Sequence, residues 1–260
     1  MGRRRSPRGT YREEMLNDWL LFEDNKARGL QDVIGLFQMI PQLRGFWPFS
    51  SADESGNVID FSGHGHTLTN NGSMTFGMEN NIPYGLMRGS EYLSRSGEGT
   101  LAVSNELTFG GWFYFTEDPI GALHFLMGKA DFTPVTAWEY SLESNGNKVS
   151  FIVRTSTQRF DTITVNDELE PNKWFFIVGR HNGASDGTKQ RIFINNRNLE
   201  ITGDKADGDI QDAGSTFTIG ARDLTGGDFE GRACLCFVAA AELTDQHLAM
   251  LYNRTRYLFS

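Results

Sequence analysis

From Leu43 onward the sequence consists of short apolar runs separated by turn residues, and no helical period returns until its far end. Strands are predicted at 106–115, 148–155, 173–181, 190–196, 216–221 and 232–241. In the run "KWFFIVG" both alternate sets of side chains from Trp174 to Val178 are apolar. Both faces of this strand must therefore be covered. A two-sheet antiparallel sandwich provides such cover, so the sequence predicts an all-β domain.

Composition supports this fold and limits the partners. The chain has 20 Phe and 29 Gly but only 7 Pro, which suits short strands joined by tight turns. The net charge is −9, although the first eight residues, "MGRRRSPR", are basic. Residues 1–9 are predicted to form a flexible basic arm on an acidic body, and nucleic acid is not an expected partner. No secretory signal and no membrane-spanning run of about 18 apolar residues is predicted.

Residues 10–42 are predicted to form an amphipathic helical extension ahead of the sandwich. Thr10 and Glu13 match a capping box, Gly29 separates two helical stretches, and Pro41 ends the second. The apolar face has two interpretations: it docks on a partner, or it folds back and completes the core of the sandwich. Its candidate partner-docking residues are Trp19, Phe22, Leu30, Val33, Ile34, Phe37 and Ile40.

Two further features lie toward the other end of the chain. A short helix is predicted after Thr244, its N-cap, with Leu248, Leu251 and Tyr252 facing the core. Cys234 and Cys236 lie two apart in an apolar strand pattern. A disulfide across one intervening residue would be strained, which predicts two reduced core thiols.

The order of several motifs resembles the laminin-G-like, concanavalin-A-like jelly-roll family, from Phe46 to Tyr252. The motifs are "DFSGHG", "GSEYLS", "LTFGGWFYF" with Trp112, "MGKAD", "KWFFIVGRHNG", "RIFINNRNL", "FTIGARDLTGGDFEGR" and "ELTDQHLAMLYN". The resemblance implies a jelly-roll sandwich over residues 43–260. Two positions depart from the family pattern: Cys234 replaces a frequent Asp, and Asn196 stands where Gly is usual, in a turn that Asn tolerates.

The family resemblance also bears on the stretch "DFSGHGHTLTNNG". Relatives of this fold often hold a calcium ion near such loops, which makes Asp60 a candidate Ca²⁺ ligand. The alternative is that the Asp60 carboxylate caps the turn by accepting backbone N–H groups. His64 and His66 lack a third ligand at metal-binding spacing, and both imidazoles are expected to face solvent.

No catalytic constellation is found, so the chain is not predicted to be an enzyme. The acidic run at 167–170 is predicted to be a surface loop, and nucleophile elbows and phosphate loops are absent from the sequence. Sugar binding needs exposed rings with neighbouring amides. The candidates are Trp138 and Tyr140, with Asn145 and Asn147 on the following turn. The alternative is that both rings form one buried face of a strand.

Together these features favour a non-enzymatic virion structural protein, a capsid decoration or tail-associated subunit assembled in a host cytoplasm. Its partners would be other virion proteins or further copies of itself, joined through the helical extension, and surface glycans. The alternatives are a free carbohydrate-binding module and a polysaccharide lyase or hydrolase on the same fold.

Overall fold

The structure, a computed structural model, describes residues 29–96, 101–116, 123–131, 138–183, 190–203, 208–222 and 229–259. Two helices and sixteen strands are defined within these residues. In chain order they are α1 (Leu30–Gln38), β1 (Leu43–Trp47), β2 (Thr69–Asn71), β3 (Thr75–Glu79), β4 (Ile82–Arg88), β5 (Tyr92–Arg95), β6 (Leu107–Phe115), β7 (Leu123–Ala130), β8 (Trp138–Asn145), β9 (Lys148–Arg154), β10 (Arg159–Thr164), β11 (Trp174–His181), β12 (Gln190–Ile194), β13 (Arg197–Asn198), β14 (Ile201–Gly203), β15 (Phe217–Ile219), β16 (Glu230–Ala239) and α2 (Asp245–Thr255). A 3-10 turn, Arg256–Leu258, follows α2.

The strands form two antiparallel sheets of eight strands each. Sheet I has the order β13-β12-β11-β6-β16-β4-β3, and β1 pairs with β16 beside β4. Sheet II has the order β14-β10-β9-β8-β7-β15-β5-β2. Each of the six predicted strands has a counterpart, in β6, β9, β11, β12, β15 and β16. The predicted all-β jelly-roll sandwich is therefore confirmed.

The main core lies between the two sheets and is rich in aromatic rings. Phe109 of sheet I contacts Tyr140 and Phe151 of sheet II, with ring centroids 4.9 and 5.5 Å apart. Phe175 and Ile177 of β11 also belong to this core. The alternate set of β11 side chains, which includes Phe176 and Val178, belongs to a second cluster on the outer face of sheet I. Both faces of β11 are thus covered, as its sequence predicts.

The outer face of sheet I is covered in part by helix α1. Phe37 is fully buried, stacks on Phe46 of β1 with centroids 4.7 Å apart, and meets Phe237 edge-on at 5.6 Å. Val33, Ile34 and Ile40 are at most 5% exposed, and Leu30 packs against the same cluster. The docking prediction for these five residues is therefore corrected, since their apolar surface is used by the chain's own sandwich. Trp19 and Phe22 lie outside the described residues.

Helix α2 covers another part of the same face. Thr244 is its N-cap, as predicted: its Oγ1 accepts a hydrogen bond from the backbone N–H of His247 at 3.2 Å, and His247 Nδ1 accepts from the backbone N–H of Thr244 at 3.2 Å. Trp112 of β6 joins the helix by donating from Nε1 to Thr255 Oγ1 at 3.0 Å. Neither described helix combines the length and apolar content that crossing a bilayer requires.

Cys234 and Cys236 are free and fully buried in β16, which agrees with the prediction of reduced core thiols. Burial raises the pKa of both thiols, and a protonated thiol is a poor nucleophile and a poor metal ligand. The hairpin between β12 and β13 has Asn195 and Asn196 at φ 50° and 65°. Asn at the position where the family has Gly is therefore accommodated in the left-handed region.

Candidate functional site

Part of the outer face of sheet I is left open beside α2 and forms a cleft lined by aromatic rings. Antiparallel pairing of β6 with β11 places Trp174 opposite Tyr114 and Phe176 opposite Trp112. Directly opposed residues point to the same face of a sheet, so these four rings lie together on the outer side. We call this surface the aromatic cleft.

The aromatic cleft consists of two adjoining cavities of about 360 and 450 Å³. Trp174 and Phe259 line both cavities, and the Phe259 ring lies 4.4 Å from Trp112 and 4.8 Å from Trp174 between ring centroids. The segment that carries Phe259 is fixed by Asn80, whose Nδ2 donates to the carbonyl oxygen of Leu258 at 3.0 Å. The other lining residues are Trp112, Asn195, Tyr252, Arg256 and Tyr257 in the smaller cavity, and Glu79, Tyr114, Asn172, Lys173 and Arg232 in the larger one.

The polar side of the larger cavity is organised around Arg232. Its guanidinium lies between the rings of Tyr84 and Tyr114, at 4.8 and 4.5 Å from the two centroids, and its Nη1 is 2.9 Å from Glu79 Oε2. The same carboxylate oxygen accepts a hydrogen bond from Trp174 Nε1 at 3.2 Å. Two ring faces and an ion pair therefore hold the Arg232 side chain in one orientation.

The rim of the larger cavity is polar and exposed. Asn172 and Lys173 precede β11, and Tyr114 Oη donates to Asn172 Oδ1 at 3.3 Å. Asn172 has φ 60°, a left-handed conformation that Asn adopts more readily than most residues. The cleft thus combines ring surface with amide, ammonium, guanidinium and carboxylate groups, the combination that recognises a molecule with apolar faces and polar edges.

The rings that the sequence suggested for sugar stacking lie elsewhere. Trp138 is 1% exposed and Tyr140 is fully buried, so neither ring can stack on a sugar. Trp138 donates from Nε1 to Ser141 Oγ at 3.1 Å, and Tyr140 Oη donates to the carbonyl oxygen of Leu101 at 2.8 Å. The structure therefore shows the alternative interpretation, in which Trp138 and Tyr140 are buried residues of a strand.

The two predicted amides lie on sheet II and not at the aromatic cleft. Asn145 is the exposed last residue of β8, and Asn147 lies in the turn that leads to β9. The carbonyl oxygen of Asn147 accepts backbone N–H groups of Glu168 and Leu169 at 2.8 and 2.9 Å. The structure therefore does not bring these amides together with an exposed ring.

Asp60 organises its turn through four hydrogen bonds. Oδ1 accepts the backbone N–H groups of Phe46 and Ser62 at 2.9 and 2.8 Å, and Oδ2 accepts Ser62 Oγ–H and His66 N–H at 2.7 and 2.9 Å. Both oxygens accept hydrogen bonds within the turn, which is the turn-capping arrangement, and Ca²⁺ ligation by Asp60 stays a prediction. No group of three or more His, Cys, Asp or Glu side chains converges in a metal-binding arrangement within the described residues.

The two histidines of this turn differ in exposure. His66 is 2% exposed and its carbonyl oxygen accepts Trp47 Nε1–H at 2.8 Å, so the expectation of a solvent-facing imidazole is wrong for this residue. His64 is exposed, as expected. The glycines allow the tight path, since Gly63 and Gly65 have φ 89° and 75°.

A second polar cluster lies in sheet II, but it is enclosed. Lys129 is 1% exposed, and its Nζ is 2.8 Å from Glu139 Oε1. Burial raises the pKa of the Glu139 carboxyl, and the neighbouring Lys129 ammonium opposes this shift. Glu143, 3.7 Å from Arg222, also has its pKa raised by burial. These groups pair with each other, which favours a structural role.

The acidic loop that the sequence placed on the surface is engaged in ion pairs. Glu168 pairs with Arg197, and Glu170 pairs with Lys173 beside the aromatic cleft. Ion pairs of this kind are an ordinary arrangement of charged side chains on a surface loop.

Two antiparallel sheets packed face to face place the domain in the class of jelly-roll sandwiches, an architecture that lectin domains share with other proteins. Residues 88–245, more than half of the chain, match the family Laminin_G_3, described as the concanavalin A-like lectin/glucanases superfamily. The chain belongs to this family. No curated protein sequence matches it.

Similar solved structures include receptor-binding domains of botulinum neurotoxins. The serotype D ligand binding domain in complex with N-acetylneuraminic acid matches with a TM-score of 0.62 at 11% identity, over 82% of this chain and 50% of that chain. The serotype G binding domain matches with a TM-score of 0.63 at 12% identity, over 81% and 50%. A third structure, described as showing that cell entry of botulinum neurotoxin type C depends on interaction with two ganglioside molecules, matches with a TM-score of 0.61 at 13% identity. The match covers 84% of this chain and 52% of that chain.

At these identities the likeness shows the fold alone. The chain spans about half the length of the matched structures, so half of each has no counterpart in it. The structures do not identify the aromatic cleft, which rests on the residues of this chain.

Sequence reasoning missed Trp174, Tyr114, Arg232 and Glu79 as site residues. One signal was available: Trp112 and Tyr114 are two apart in β6, and Trp174 and Phe176 are two apart in β11. Only the pairing of the two strands shows that the four rings share a face. Arg232 and Glu79 are separated by 153 positions, so no local pattern links them.

Proposed function

We propose that this protein binds carbohydrate without chemical turnover, at the aromatic cleft. The observation that carries the proposal is the position of Trp174 and Tyr114 beside the fixed Arg232–Glu79 pair in a cleft that opens to solvent. A pyranose ring has an apolar face that stacks on an aromatic ring and hydroxyl edges that hydrogen-bond to amides and charged groups. Both kinds of surface meet at the larger cavity.

The ligand class has a second line of support. The serotype D neurotoxin domain is described as a ligand binding domain in complex with N-acetylneuraminic acid, and the type C protein as dependent on gangliosides for cell entry. Both ligands are carbohydrates or carry them. A fold shared with such proteins favours a carbohydrate for this chain, although half of each of those proteins lies outside the match.

A glycan array probed with the intact protein tests the proposal, followed by titration of the strongest glycan. Trp174→Leu removes the ring but keeps an apolar side chain in a position that is 8% exposed. We expect about tenfold weaker binding, since ring stacking contributes on the order of 1 kcal/mol. Asn172→Gly, on the exposed rim, removes the amide and keeps the left-handed backbone at φ 60°, so it should weaken binding without disturbing the core.

Phe76→Leu is the matched control, because Phe76 is an aromatic ring 40% exposed in a separate cavity with Phe49 and Pro83. Its glycan binding should equal that of the wild type. Incubation of the bound polysaccharide with the protein should leave its chain length unchanged. Retention of no glycan by the folded protein, or equal losses in Trp174→Leu and Phe76→Leu, would contradict the proposal.

We further propose that the domain is displayed on a larger assembly, as a virion structural protein, through residues that precede Gly29. The observation that favours these residues is the burial of α1 against its own sandwich. An attachment element must then use other apolar side chains, and Trp19 and Phe22 are the predicted docking residues that precede Gly29. This second proposal leaves the carbohydrate site unchanged.

A further inference from the structure

We propose that the aromatic cleft selects acidic sugars and that Arg232 binds their carboxylate. The inference rests on the proposed carbohydrate function and adds the class of ligand. Three observations support it: the hydrogen bonds and exposure of the Arg232 guanidinium, the charges around this group, and the aromatic ring surface beside it.

Arg232 is held in place but is only partly used by its protein partners. Nη1 pairs with Glu79, and Nε is buried with no acceptor within the described residues, so the donors that a ligand can reach are those of the Nη atoms. The side chain is 28% exposed and lines the larger cavity. A guanidinium has five N–H donors, so this one has donors left for a ligand. The centroids of the Tyr84 and Tyr114 rings lie 4.8 and 4.5 Å from the guanidinium carbon, which favours the approach of a ligand along the N–H edge.

Edge-on approach is the geometry by which a guanidinium recognises a planar carboxylate. A neutral hydroxyl can also accept from this edge, but an ionised acceptor forms a shorter and stronger bond. Immobilisation of Arg232 before binding reduces the conformational entropy that a ligand contact would otherwise cost. Arg232 is therefore oriented to bind an anion before the ligand arrives.

The charges that line the cleft agree with this assignment. The two cavities are lined by the cations Lys173, Arg232 and Arg256 and by the single carboxylate of Glu79. Lys173 also pairs with Glu170 beside the cleft, and with that carboxylate counted the cations still outnumber the anions, on a chain whose formal net charge is −9. Electrostatic attraction acts locally, within about 8 Å at physiological salt, so the nearby cations dominate over the distant acidic surface.

The adjoining rings distinguish an acidic sugar from a simple anion. Trp174 forms the wall that the two cavities share, next to the Arg232–Glu79 pair, and its Nε1 contacts the same carboxylate. A sugar acid presents a carboxylate and a pyranose face at once, which matches a guanidinium edge beside an indole. Sialic acids and hexuronic acids both have this chemistry.

The test compares acidic and neutral glycans by calorimetric titration of the intact protein. The probes are 3′-sialyllactose, a hyaluronan tetrasaccharide that carries glucuronate, and lactose as the neutral partner. We expect at least one acidic probe to bind about tenfold or more tightly than lactose, the effect of one charge-assisted contact. The two acidic arms show which kind of sugar acid fits.

Glu79→Gln gives the sharpest readout. This variant removes the carboxylate that competes for Arg232 but keeps an oxygen acceptor for Trp174 Nε1. We expect the preference for the acidic probe over lactose, measured as the ratio of the two Kd values, to rise several-fold. The double variant Glu79→Gln, Arg232→Met should lose the preference for acidic probes. Glu54→Gln is the matched control, since it changes the net charge equally at an exposed position in another loop.

Each outcome has a separate meaning. Equal or tighter binding of lactose would overturn the acidic selectivity and leave carbohydrate binding intact. Equal effects of Glu79→Gln and Glu54→Gln would overturn Arg232 as the carboxylate site, because they would reflect overall charge. Retention of no glycan, neutral or acidic, would overturn the proposed function itself.

Discussion

Lys129 is a charged side chain with only 1% of its surface exposed, and its ammonium pairs with the buried Glu139 and, at 3.5 Å, with the exposed Asp212. Its Nζ contacts Glu139 Oε1 and Oε2 at 2.8 and 3.0 Å, and Glu139 Oε1 also accepts the backbone N–H groups of Ala213 and Ser215. Lys129→Met would leave the carboxylate buried without its cation. We expect a loss of about 3–5 kcal/mol in the free energy of unfolding, measured by urea denaturation.

A second substitution separates charge from packing in this prediction. Lys129→Met combined with Glu139→Gln removes both charges and keeps an oxygen for the two backbone donors, so it should recover most of the loss. Lys173→Met breaks an exposed pair with Glu170 and should cost less than about 1 kcal/mol. Similar losses in the double and single variants would contradict the assignment of the effect to an unpaired buried charge.

Individual residues also show where sequence reasoning reached its limit. The spacing of Trp138 and Tyr140 predicts that two rings share a side of a strand, but the same spacing occurs on exposed and covered faces. Their burial depends on packing partners that are distant in sequence, such as Phe109 against Tyr140. The capping role of Asp60 was easier to predict, because its hydrogen bonds to Ser62 lie within the turn motif itself.

At the scale of single elements, periodicity predicted six strands and both described helices, but not β7 and β8, which have eight residues each. Strands β6, β11 and β16 are continuous apolar runs, and burial on both faces produces that pattern. β3 has no buried residue and lies at the edge of sheet I, so its sequence carries no alternation and its pairing with β4 comes from tertiary structure. The period of α1 indicated an apolar face without indicating what covers it.

Helix α1 is expected to contribute to the stability of the whole domain. Phe37→Ala removes a fully buried ring that contacts Phe46 and Phe237. We expect the free energy of unfolding to fall by about 3–5 kcal/mol, the usual cost of deleting a buried aromatic side chain. Gln31→Ala, on the exposed face of the same helix, should change it by less than about 0.5 kcal/mol. Equal, small effects in thermal or urea denaturation would show that α1 packs only weakly.

On the scale of the whole molecule, one outer face of the sandwich serves two purposes. α1 and α2 cover part of sheet I with apolar side chains, and the remainder forms the aromatic cleft. The same strands, β6 and β11, supply residues to the core, to the helix contacts and to the cleft. Deletion of α1 is therefore expected to disturb the aromatic cleft as well, because both involve sheet I. A truncation meant to leave glycan binding intact must keep α1.

Truncation tests whether the segment before Gly29 attaches the domain to an assembly. The mass of the full chain, of a chain without residues 1–28 and of a Trp19→Ala, Phe22→Ala variant is measured by light scattering. We expect an oligomer for the full chain and a folded monomer for the other two, because the apolar residues of α1 are already buried within the domain. Glycan binding should be equal in all three.

Removal of residues 1–42 is the complementary experiment. It deletes α1 together with Val33, Ile34 and Phe37, and exposes the apolar outer face of sheet I. We expect aggregation rather than a soluble monomer, since a large contiguous apolar patch promotes association. A soluble, stable sandwich without residues 1–42 would mean that α1 is dispensable for folding and free to dock elsewhere. A full-length monomer would contradict self-assembly through Trp19 and Phe22 and leave a binding domain that acts alone.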